Sequence, residues 1–280
     1  MTREEIIRQS ILEDVGDGDH SSLSCIDKSH QGSMQLLVKE DGIIAGIEVA
    51  KEVLAIIDPE IKMEQLLHDG DSVRKGDIAF ILTGSVQSML TAERTVLNFM
   101  QRMSGIATET HRYVKMVEGT KTTILDTRKT TPNMRYFEKY AVKVGGAENH
   151  RFGLFDMIML KDNHIDFAGG IEQAIDRARN YLKEKNLNLK IEIETRSLDD
   201  VRRVMAHGGV DRIMLDNFTP DLIREAMKII GGKYETEASG GITDQTLRQY
   251  AETGVDYISV GALTHHIKSL DLSLKFRKNL

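Results

Sequence analysis

The sequence contains no tryptophan, and aromatic residues make up only 5% of its 280 positions. Stacking on bases or sugar rings is therefore not expected to be a main feature of its chemistry. The single cysteine, Cys25, cannot form a disulfide within the chain, which fits a reducing compartment. With only three prolines, the chain has no proline-rich linker, and it has no low-complexity segment.

Long hydrophobic runs are also missing. No apolar run approaches the roughly 20 residues that a membrane helix needs. The stretch from Met1 to Asp19 is charged and lacks the apolar core of a signal peptide. We therefore predict a cytoplasmic protein that does not contact a membrane. The formal net charge of −6 makes nucleic acid an unexpected partner.

Against this acidic background, cations concentrate between Asp126 and His164. They occur in three groups, each after a short apolar run, at 122–125, 141–144 and 157–160. The residues of interest in this stretch are Arg128, Lys129, His150, Arg151, Lys161 and His164. Cations that recur just after buried strands predict one shared pocket for an anion with several negative groups.

The hydrophobic pattern changes near residue 107, which predicts two domains of α/β class. Residues 1–107 mix short strands and helices and predict a small α/β domain, with tight turns at 68–81 that are typical of a small β-sandwich. Residues 108–265 alternate strand and helix and predict an incomplete, seven-stranded α/β barrel. The predicted strands are 122–126, 141–145, 157–160, 190–194, 212–216, 234–238 and 256–260. Residues 266–280 predict a C-terminal helix that packs on the first domain.

Polar residues follow every predicted strand, and in β/α barrels the active site lies at these carboxyl ends. Glu194 and Asp216 end the fourth and fifth strands. Two such carboxylates suit Mg²⁺ or sugar hydroxyls, because Mg²⁺ uses few protein carboxylates and depends on substrate phosphates. Salt bridges to neighbouring cations are the alternative for both residues.

The last two strand ends predict a phosphate site. Their residues are Ser239, Gly240, Gly241 and Gly261, and a helix is predicted after each. Glycine lets backbone N–H groups approach an anion, and a helix N-terminus adds positive potential. A tight turn is the alternative for each glycine pattern taken alone.

Several other interpretations of the cations stay open at this point. His150 and His164 could be zinc ligands, although no cysteine or helical ligand spacing supports that. A hydrogen bond to substrate is favoured for His150, and a structural role for His164. Lys161 or Lys129 could form a Schiff base, as in barrel aldolases.

Two further features have competing interpretations. The neighbouring arginines Arg128 and Arg151 favour an anion clamp over a Schiff base, because Arg binds carboxylate and phosphate in bidentate fashion. Arg94 lies on a predicted helix of the first domain, where a solvated face is the alternative to a functional role. Residues 68–81 could belong to a lipoyl-like carrier, but the Met-Lys hairpin tip of a carrier is missing.

Ordered motifs over nearly the whole chain resemble the quinolinate phosphoribosyltransferase family, also called nicotinate-nucleotide pyrophosphorylase (carboxylating). The motifs are EDVGDGDHSS (13–22), ERTVLN (93–98), TRKTTP (127–132), GGAENHRFGLFD (145–156), LKDNHI (160–165), LDNF (215–218), EASGGI (237–242) and VGALTH (260–265). A relative of similar fold from molybdenum loci shares part of this pattern and is the main alternative.

The resemblance implies a fold with a small N-terminal open α/β sandwich domain and a seven-stranded α/β barrel. It also implies a pentosyltransferase that joins quinolinate to phosphoribosyl pyrophosphate in de novo NAD biosynthesis. It further implies Mg²⁺ as cofactor and a homodimer or larger homo-oligomer whose active sites are shared between subunits. Carried over by motif, the quinolinate pocket would contain Arg128, His150, Arg151 and Lys161, with Arg94 supplied by the partner subunit. Phosphoribosyl pyrophosphate and Mg²⁺ would meet Lys129, Glu194 and Asp216, and the 5′-phosphate would meet Ser239, Gly240, Gly241 and Gly261. Lys129, Lys161, Glu194 and Asp216 would be the catalytic residues.

The chain departs from the family pattern at two uncharged positions of its motifs. Asn133 stands where the family usually has glycine after TRKTTP, and His266 stands where serine is common after LTH. Asparagine tolerates left-handed backbone, so the turn at Asn133 is expected to survive.

Overall fold

The structure, a computed structural model, describes residues 2–277, and the chain divides into two compact units. The described residues of the first unit come from Met1–His111, Thr130–Gly146 and Ala262–Leu280. The second unit comprises Arg112–Lys129 and Ala147–Gly261. Residues 130–146 thus group with the N-terminal part, and the domain boundary at 107/108 stays a prediction.

Helices and strands alternate through most of the chain. The helices are α1 (Arg3–Val15), α2 (His20–Cys25), α3 (Ile47–Ile57), α4 (Val86–Met116), α5 (Arg135–Val144), α6 (Asp162–Ala168), α7 (Ile171–Lys185), α8 (Leu198–His207), α9 (Pro220–Ile230), α10 (Asp244–Ala251) and α11 (Ala262–His265). The strands are β1 (Gln31–Val38), β2 (Gly42–Ile43), β3 (Lys62–Gln65), β4 (Ser72–Val73), β5 (Ile78–Ser85), β6 (Thr123–Leu125), β7 (Ile158–Leu160), β8 (Ile191–Thr195), β9 (Arg212–Asp216), β10 (Glu235–Ser239), β11 (Tyr257–Ser259) and β12 (Leu272–Phe276). Among residues 2–277, no helix has both the length and the hydropathy to cross a bilayer.

The first unit is built on an antiparallel sheet in the order β12-β1-β5-β3. Its buried face includes Leu36 and Val38 from β1 and Phe80 and Leu82 from β5, all 0% exposed. A register shift between β1 and β5 follows Leu36. Strands β2 and β4 form a separate short pair.

The C-terminal helix predicted for residues 266–280 is wrong. Leu272–Phe276 is strand β12, and it pairs with β1 so that Leu274 lies opposite Leu36. Leu272 and Leu274 are buried while Ser273 between them is partly exposed, which is the period of a strand. The free edge of β1 decided this outcome, because the local sequence is compatible with either structure. Residues 278–280 of the predicted helix lie outside the described residues.

The second unit is built on a parallel sheet in the order β6-β11-β10-β9-β8-β7. Helices α7 to α10 alternate with its strands. Two of these helices have a capped N-terminus. At the start of α8 the Ser197 side chain accepts a hydrogen bond from the amide N–H of Asp200. At the start of α9 the Thr219 side chain accepts one from the amide N–H of Leu222, and Pro220 is the first helical residue. The predicted fold class, an α/β array of barrel type with a smaller N-terminal domain, is confirmed.

One of the seven predicted strands is wrong. Residues 141–145 were expected to form a strand, but they end helix α5, whose Phe137, Ala141 and Val142 are 0% exposed. The helical spacing of these apolar residues overrode the strand preference of the short run. Beside the edge strand β6, where a seventh strand would pair, the structure has only an isolated parallel bridge between Glu148 and Leu125 among the described residues.

The two faces of the parallel sheet differ in polarity. All five residues of β8 are buried, although the strand alternates isoleucine and glutamate. Ile193 pairs with Ile213 on the apolar face, whereas Glu192 pairs with Arg212 on the opposite face. Because side chains alternate along a strand, Glu194 shares the face of Glu192. The polar face therefore brings charged side chains to the carboxyl ends of the strands.

Candidate active site

The ends of β7 and β8 bring Lys161 and Glu194 together as an ion pair. Lys161 Nζ contacts Glu194 Oε1, and the amide N–H of Asp162 donates to Glu194 Oε2 at 3.3 Å. The backbone N–H of Lys161 donates to His164 Nδ1 at 2.9 Å. His164 therefore stabilises the start of α6, which agrees with the structural role favoured for it.

Asp216 ends the next strand, β9, where the charges of Lys161 and Glu194 affect its pKa. Burial, and then the charge of Glu194, raise the pKa of Asp216. The side-chain amide of Asn217 donates to Asp216 Oδ2 at 2.8 Å. Two carboxylates at one strand-end edge form a donor set that fits Mg²⁺, which prefers carboxylate oxygens and substrate phosphates.

The turn after β10 places backbone groups against open space. Gly240 has φ +93°, and a Cβ at this position would lie 2.3 Å from Asn217 Oδ1. The backbone N–H of Asn217 in turn donates to the carbonyl oxygen of Ser239 at 2.8 Å. Gly241 has φ +64° and no heavy atom within 4 Å of its would-be Cβ. The turn thus needs glycine at 240 for packing and leaves the backbone at 241 accessible to a ligand.

Gly261 lies between β11 and α11 at the neighbouring strand end. Ser259 of β11 and Ser239 of β10 are joined by a hydrogen bond of 3.1 Å between their hydroxyl groups. This contact brings the two predicted phosphate-binding segments together. α11 has only four residues, so its N-terminus adds little positive potential of its own.

The arginines of the site lie on the loops that follow β6 and α5. Burial, and then the charge of Arg128, lower the pKa of Arg151. Arg151 Nη1 donates to the carbonyl oxygen of Met157 at 3.1 Å. Asp156 accepts two amide N–H groups of the same loop, including that of Gly153 at 2.9 Å. Two guanidinium groups are therefore held near each other despite their repulsion, as a site for a dianion would require.

His150 connects this loop to the interior of the sheet. Its backbone N–H donates to the buried Asp126 at 2.8 Å, and its Nδ1 accepts the amide N–H of Arg151 at 2.6 Å. Its Nε2 lies 3.0 Å from Glu192 Oε2 and 3.3 Å from Glu237 Oε2. Burial opposes ionisation of the ring, whereas the two carboxylates favour it and raise the pKa of His150. The amide contact needs a lone pair on Nδ1, which only the neutral ring has; in that form the ring proton lies on Nε2, facing the carboxylates.

Arg212 balances these buried carboxylates. Its Nη1 donates to Glu237 Oε2 at 2.9 Å, and its other nitrogens donate to Glu235 at 3.0 and 3.2 Å. Its guanidinium lies 4.0 Å from the ring centre of Tyr257. The sequence interpretation missed Arg212, Glu192 and Glu237. The available signal was that charged residues recur at every second position inside strands otherwise judged to be buried.

The second unit contains every predicted site residue except Arg94. It places Arg128, Lys129, His150, Arg151, Lys161, Glu194, Asp216, Ser239, Gly240, Gly241 and Gly261 at or after the carboxyl ends of its strands or in the connecting loops. Lys129 is exposed, and its backbone N–H donates to Thr127 Oγ1 at 3.0 Å. Arg94 is exposed on α4 of the first unit. Asn133 has φ +64°, the left-handed conformation expected for the residue that replaces glycine.

Comparison with known proteins gives the family. The model of the quinolinate phosphoribosyl transferase C-terminal domain matches residues 106–275, and that of the N-terminal domain matches residues 19–104. The chain belongs to the quinolinate phosphoribosyltransferase family. It is 44% identical over 290 residues to "Quinolinate phosphoribosyltransferase [decarboxylating] 1b" of Nicotiana tabacum, covering 98% of this chain and 82% of that protein.

A bacterial relative and a solved structure agree with this assignment. The chain is 43% identical over 272 residues to the "Probable nicotinate-nucleotide pyrophosphorylase [carboxylating]" of Bacillus subtilis, covering 96% of this chain and 92% of that protein. The crystal structure of NadC from Streptococcus pyogenes is 41% identical, with a TM-score of 0.93 over 98% of this chain and 97% of that one. The family fold therefore extends over both units of the chain.

Proposed function

We propose that this protein is a pentosyltransferase that joins quinolinate to phosphoribosyl pyrophosphate and yields nicotinate mononucleotide, pyrophosphate and CO₂. The names of its relatives give the activity, and the reaction belongs to NAD biosynthesis. One observation in this chain supports the proposal. The second unit has three cationic side chains on the loops at its strand ends, and two carboxylates, Glu194 and Asp216, lie at strand ends of the same unit. The cationic residues are Arg128, Arg151 and Lys161. Burying two highly anionic substrates requires such counter-charges.

The quinolinate pocket would contain Arg128, His150, Arg151 and Lys161, and the partner subunit would contribute Arg94. Guanidinium groups bind carboxylates in bidentate fashion, and quinolinate has two carboxylates to bind. Burial, and then the neighbouring charge of Arg128, lower the pKa of Arg151, and this proximity of the two arginines supports the assignment. A bound dianion would relieve the repulsion between the two arginines.

Phosphoribosyl pyrophosphate would bind along the other strand ends. Its 5′-phosphate would meet Ser239, Gly240, Gly241 and Gly261, where the turn leaves backbone accessible. Lys129 would contact the pyrophosphate. Glu194 and Asp216 would hold Mg²⁺, which when bound would spread the negative charge of the pyrophosphate.

Catalysis would depend mainly on positioning and electrostatics. The bond from ribose C1 to pyrophosphate breaks and leaves oxocarbenium character at C1, which Glu194 or Asp216 stabilises. Lys129 and Lys161 stabilise negative charge on the departing group and the bound acid. The ring nitrogen of quinolinate then attacks C1 and becomes cationic. That charge stabilises the electron pair left at the adjacent carbon when CO₂ departs, and the carbon finally takes up a proton.

The proposal includes a homodimer or larger homo-oligomer in which active sites are shared. The exposure of Arg94 on the first unit supports a role toward another subunit. We also propose that the protein is located in the cytoplasm, because a chain with a single cysteine forms no internal disulfide and fits a reducing compartment. Several plant relatives carry a mitochondrial or chloroplastic location in their names.

The test of the function is an assay with purified protein, quinolinate, phosphoribosyl pyrophosphate and Mg²⁺. We expect nicotinate mononucleotide, with CO₂ released in equal amount. Nicotinate in place of quinolinate is the control and should give much less product, because it lacks one of the two carboxylates that the arginines are proposed to bind. No product from quinolinate, with the protein folded, would overturn the proposal and favour the molybdenum-locus relative.

A further inference from the structure

Three buried side chains behind the candidate quinolinate pocket have no role in the proposed chemistry. Glu192 and Glu237 are 0% exposed, and the side chain of Arg212 is only 11% exposed. They face one another from adjacent strands β8, β9 and β10. Charged groups are rarely buried so completely unless they are paired, and their burial costs several kcal/mol per ion before pairing.

The two carboxylates converge on His150 and not on open space, and Arg212 holds one of them, Glu237. Its Nε2 faces both carboxylates at 3.0 and 3.3 Å, while its Nδ1 accepts the Arg151 amide N–H at 2.6 Å. Both edges of the imidazole are therefore engaged by the protein itself. The ring acts as a rigid spacer between the interior carboxylates and the backbone of Arg151.

The Arg151 guanidinium is fixed from the same loop. Its Nη1 donates to the carbonyl oxygen of Met157, and the backbone N–H of His150 is anchored on Asp126. A rotation of the His150 ring would break its hydrogen bond with the Arg151 amide N–H. The Arg151 guanidinium would then approach a carboxylate of the substrate from a different direction. Displacements of about 1 Å in such a side chain are enough to weaken substrate binding strongly.

A metal centre is the main alternative, because one nitrogen and two carboxylate oxygens lie within 4.8 Å of one another. Arg212 speaks against it. Its Nη1 lies 2.9 Å from Glu237 Oε2, which is also the oxygen that faces His150. A guanidinium at that oxygen already supplies positive charge and would repel a divalent cation.

We propose that Glu192, Glu237 and Arg212 are positioning residues that orient Arg151 toward a quinolinate carboxylate through the imidazole of His150. This inference rests on the proposed function. In this proposal His150 acts on substrate binding by holding Arg151 in place. The buried charges of the second unit then contribute to the selection of quinolinate as the aromatic acid. Phosphoribosyl pyrophosphate binding does not depend on this network.

Glu237→Gln is the first test, because it removes the charge and keeps the volume. We expect the KM for quinolinate to rise about tenfold, as for the loss of one well-oriented ionic contact, with the KM for phosphoribosyl pyrophosphate changed less than about twofold. Glu235→Gln is the matched control. Glu235 is the other partner of Arg212 on the same strand, but it does not contact His150. This control should raise the quinolinate KM much less than Glu237→Gln does, because Arg212 keeps its contact with Glu237.

A double variant separates positioning from general stability. If the network acts through the ring, His150→Gln and the pair His150→Gln/Glu237→Gln should show the same quinolinate KM, because the second change has nothing left to act on. Additive effects would overturn the proposal, as would equal rises in both KM values or no change in a folded Glu237→Gln. If Glu237→Gln does not fold, Glu192→Gln or Arg212→Lys replaces it, measured alone and in combination with His150→Gln.

Two further outcomes are distinguishable. Elemental analysis that finds stoichiometric zinc in the unsubstituted protein, and none in Glu237→Gln, would overturn the positioning role in favour of a metal centre. Absence of any quinolinate turnover in the unsubstituted protein would instead be a failure of the proposed function.

Discussion

Arg102 binds Glu138 through two guanidinium nitrogens, with Nε and Nη2 at 3.0 and 2.7 Å from the same carboxylate oxygen. The Glu138 side chain is fully buried, and its other oxygen accepts the Thr131 amide N–H at 3.1 Å. Arg102 Nη2 also donates to the carbonyl oxygen of Thr264 at 2.7 Å. One ion pair thus ties α4 and α5 to two connecting segments of the first unit.

Loss of Arg102 should destabilise the first unit. Arg102→Met leaves a buried carboxylate without its counter-charge, and we expect the free energy of unfolding to fall by about 3–5 kcal/mol. Urea denaturation followed by circular dichroism measures this. Arg8→Met removes an exposed pair with Glu4 and should cost less than about 0.5 kcal/mol. Equal costs for the two variants would contradict the importance of the buried pair.

Lys161→Ala should lower turnover at least about 100-fold without unfolding the protein, because it removes one fixed positive charge from the site. Steady-state kinetics and circular dichroism check the two parts of this prediction. Lys190→Ala removes an exposed lysine that pairs with Glu235 and serves as control. Unchanged turnover would remove Lys161 from the mechanism, and borohydride trapping of a substrate adduct would favour a Schiff base.

Sharing of the active site can be tested by mixing inactive variants. Arg94→Ala and Lys161→Ala subunits should each be nearly inactive alone. After subunit exchange, random pairing gives hybrid dimers with one intact site, so activity should recover to about a quarter of that of the unsubstituted protein. Confirmed exchange without recovery would argue against a shared site.

Gly241→Ala should weaken binding of phosphoribosyl pyrophosphate more than it weakens the fold. The new methyl group points into open space, where the 5′-phosphate is proposed to bind, so the KM for this substrate should rise about tenfold. Gly254→Ala adds the same kind of left-handed strain, at φ +83°, elsewhere in the second unit. If both variants change this KM equally, backbone strain and not phosphate binding explains the effect.

Asp256 should contribute stability that depends on pH. Burial raises its pKa, but hydrogen bonds from Thr236 and Lys121 outweigh this effect and lower the pKa of Asp256 below its ordinary value. A lowered pKa in the folded state gives stability that is present above the unfolded-state pKa of about 3.9 and is lost as the pH falls. Asp256→Asn should therefore lower the free energy of unfolding at pH 7, and the difference from the unsubstituted protein should shrink below pH 4 in thermal unfolding. A difference that is constant with pH would contradict this.

Local pattern was sufficient for most elements of this fold. The apolar period of α4 and the capping residues Ser197 and Thr219 are properties of neighbouring residues, so the helices that they favour depend on local sequence. The positions of polar residues after strands likewise indicated Lys161, Glu194 and Asp216 as neighbours, because parallel strands bring their carboxyl ends to one edge. The family also follows from motifs that can be recognised without coordinates.

Tertiary structure decided what depends on a partner distant in sequence. Residues 272–276 became a strand because β1 offered an edge, and residues 141–144 completed a helix because its apolar side was buried. The sequence alone also left open which way charged strand residues point. Only the register of three strands turned Glu192 and Glu237 toward His150 and Arg212 toward Glu237, since the energy of a buried charge is set by the groups that enclose it and not by its neighbours along the chain.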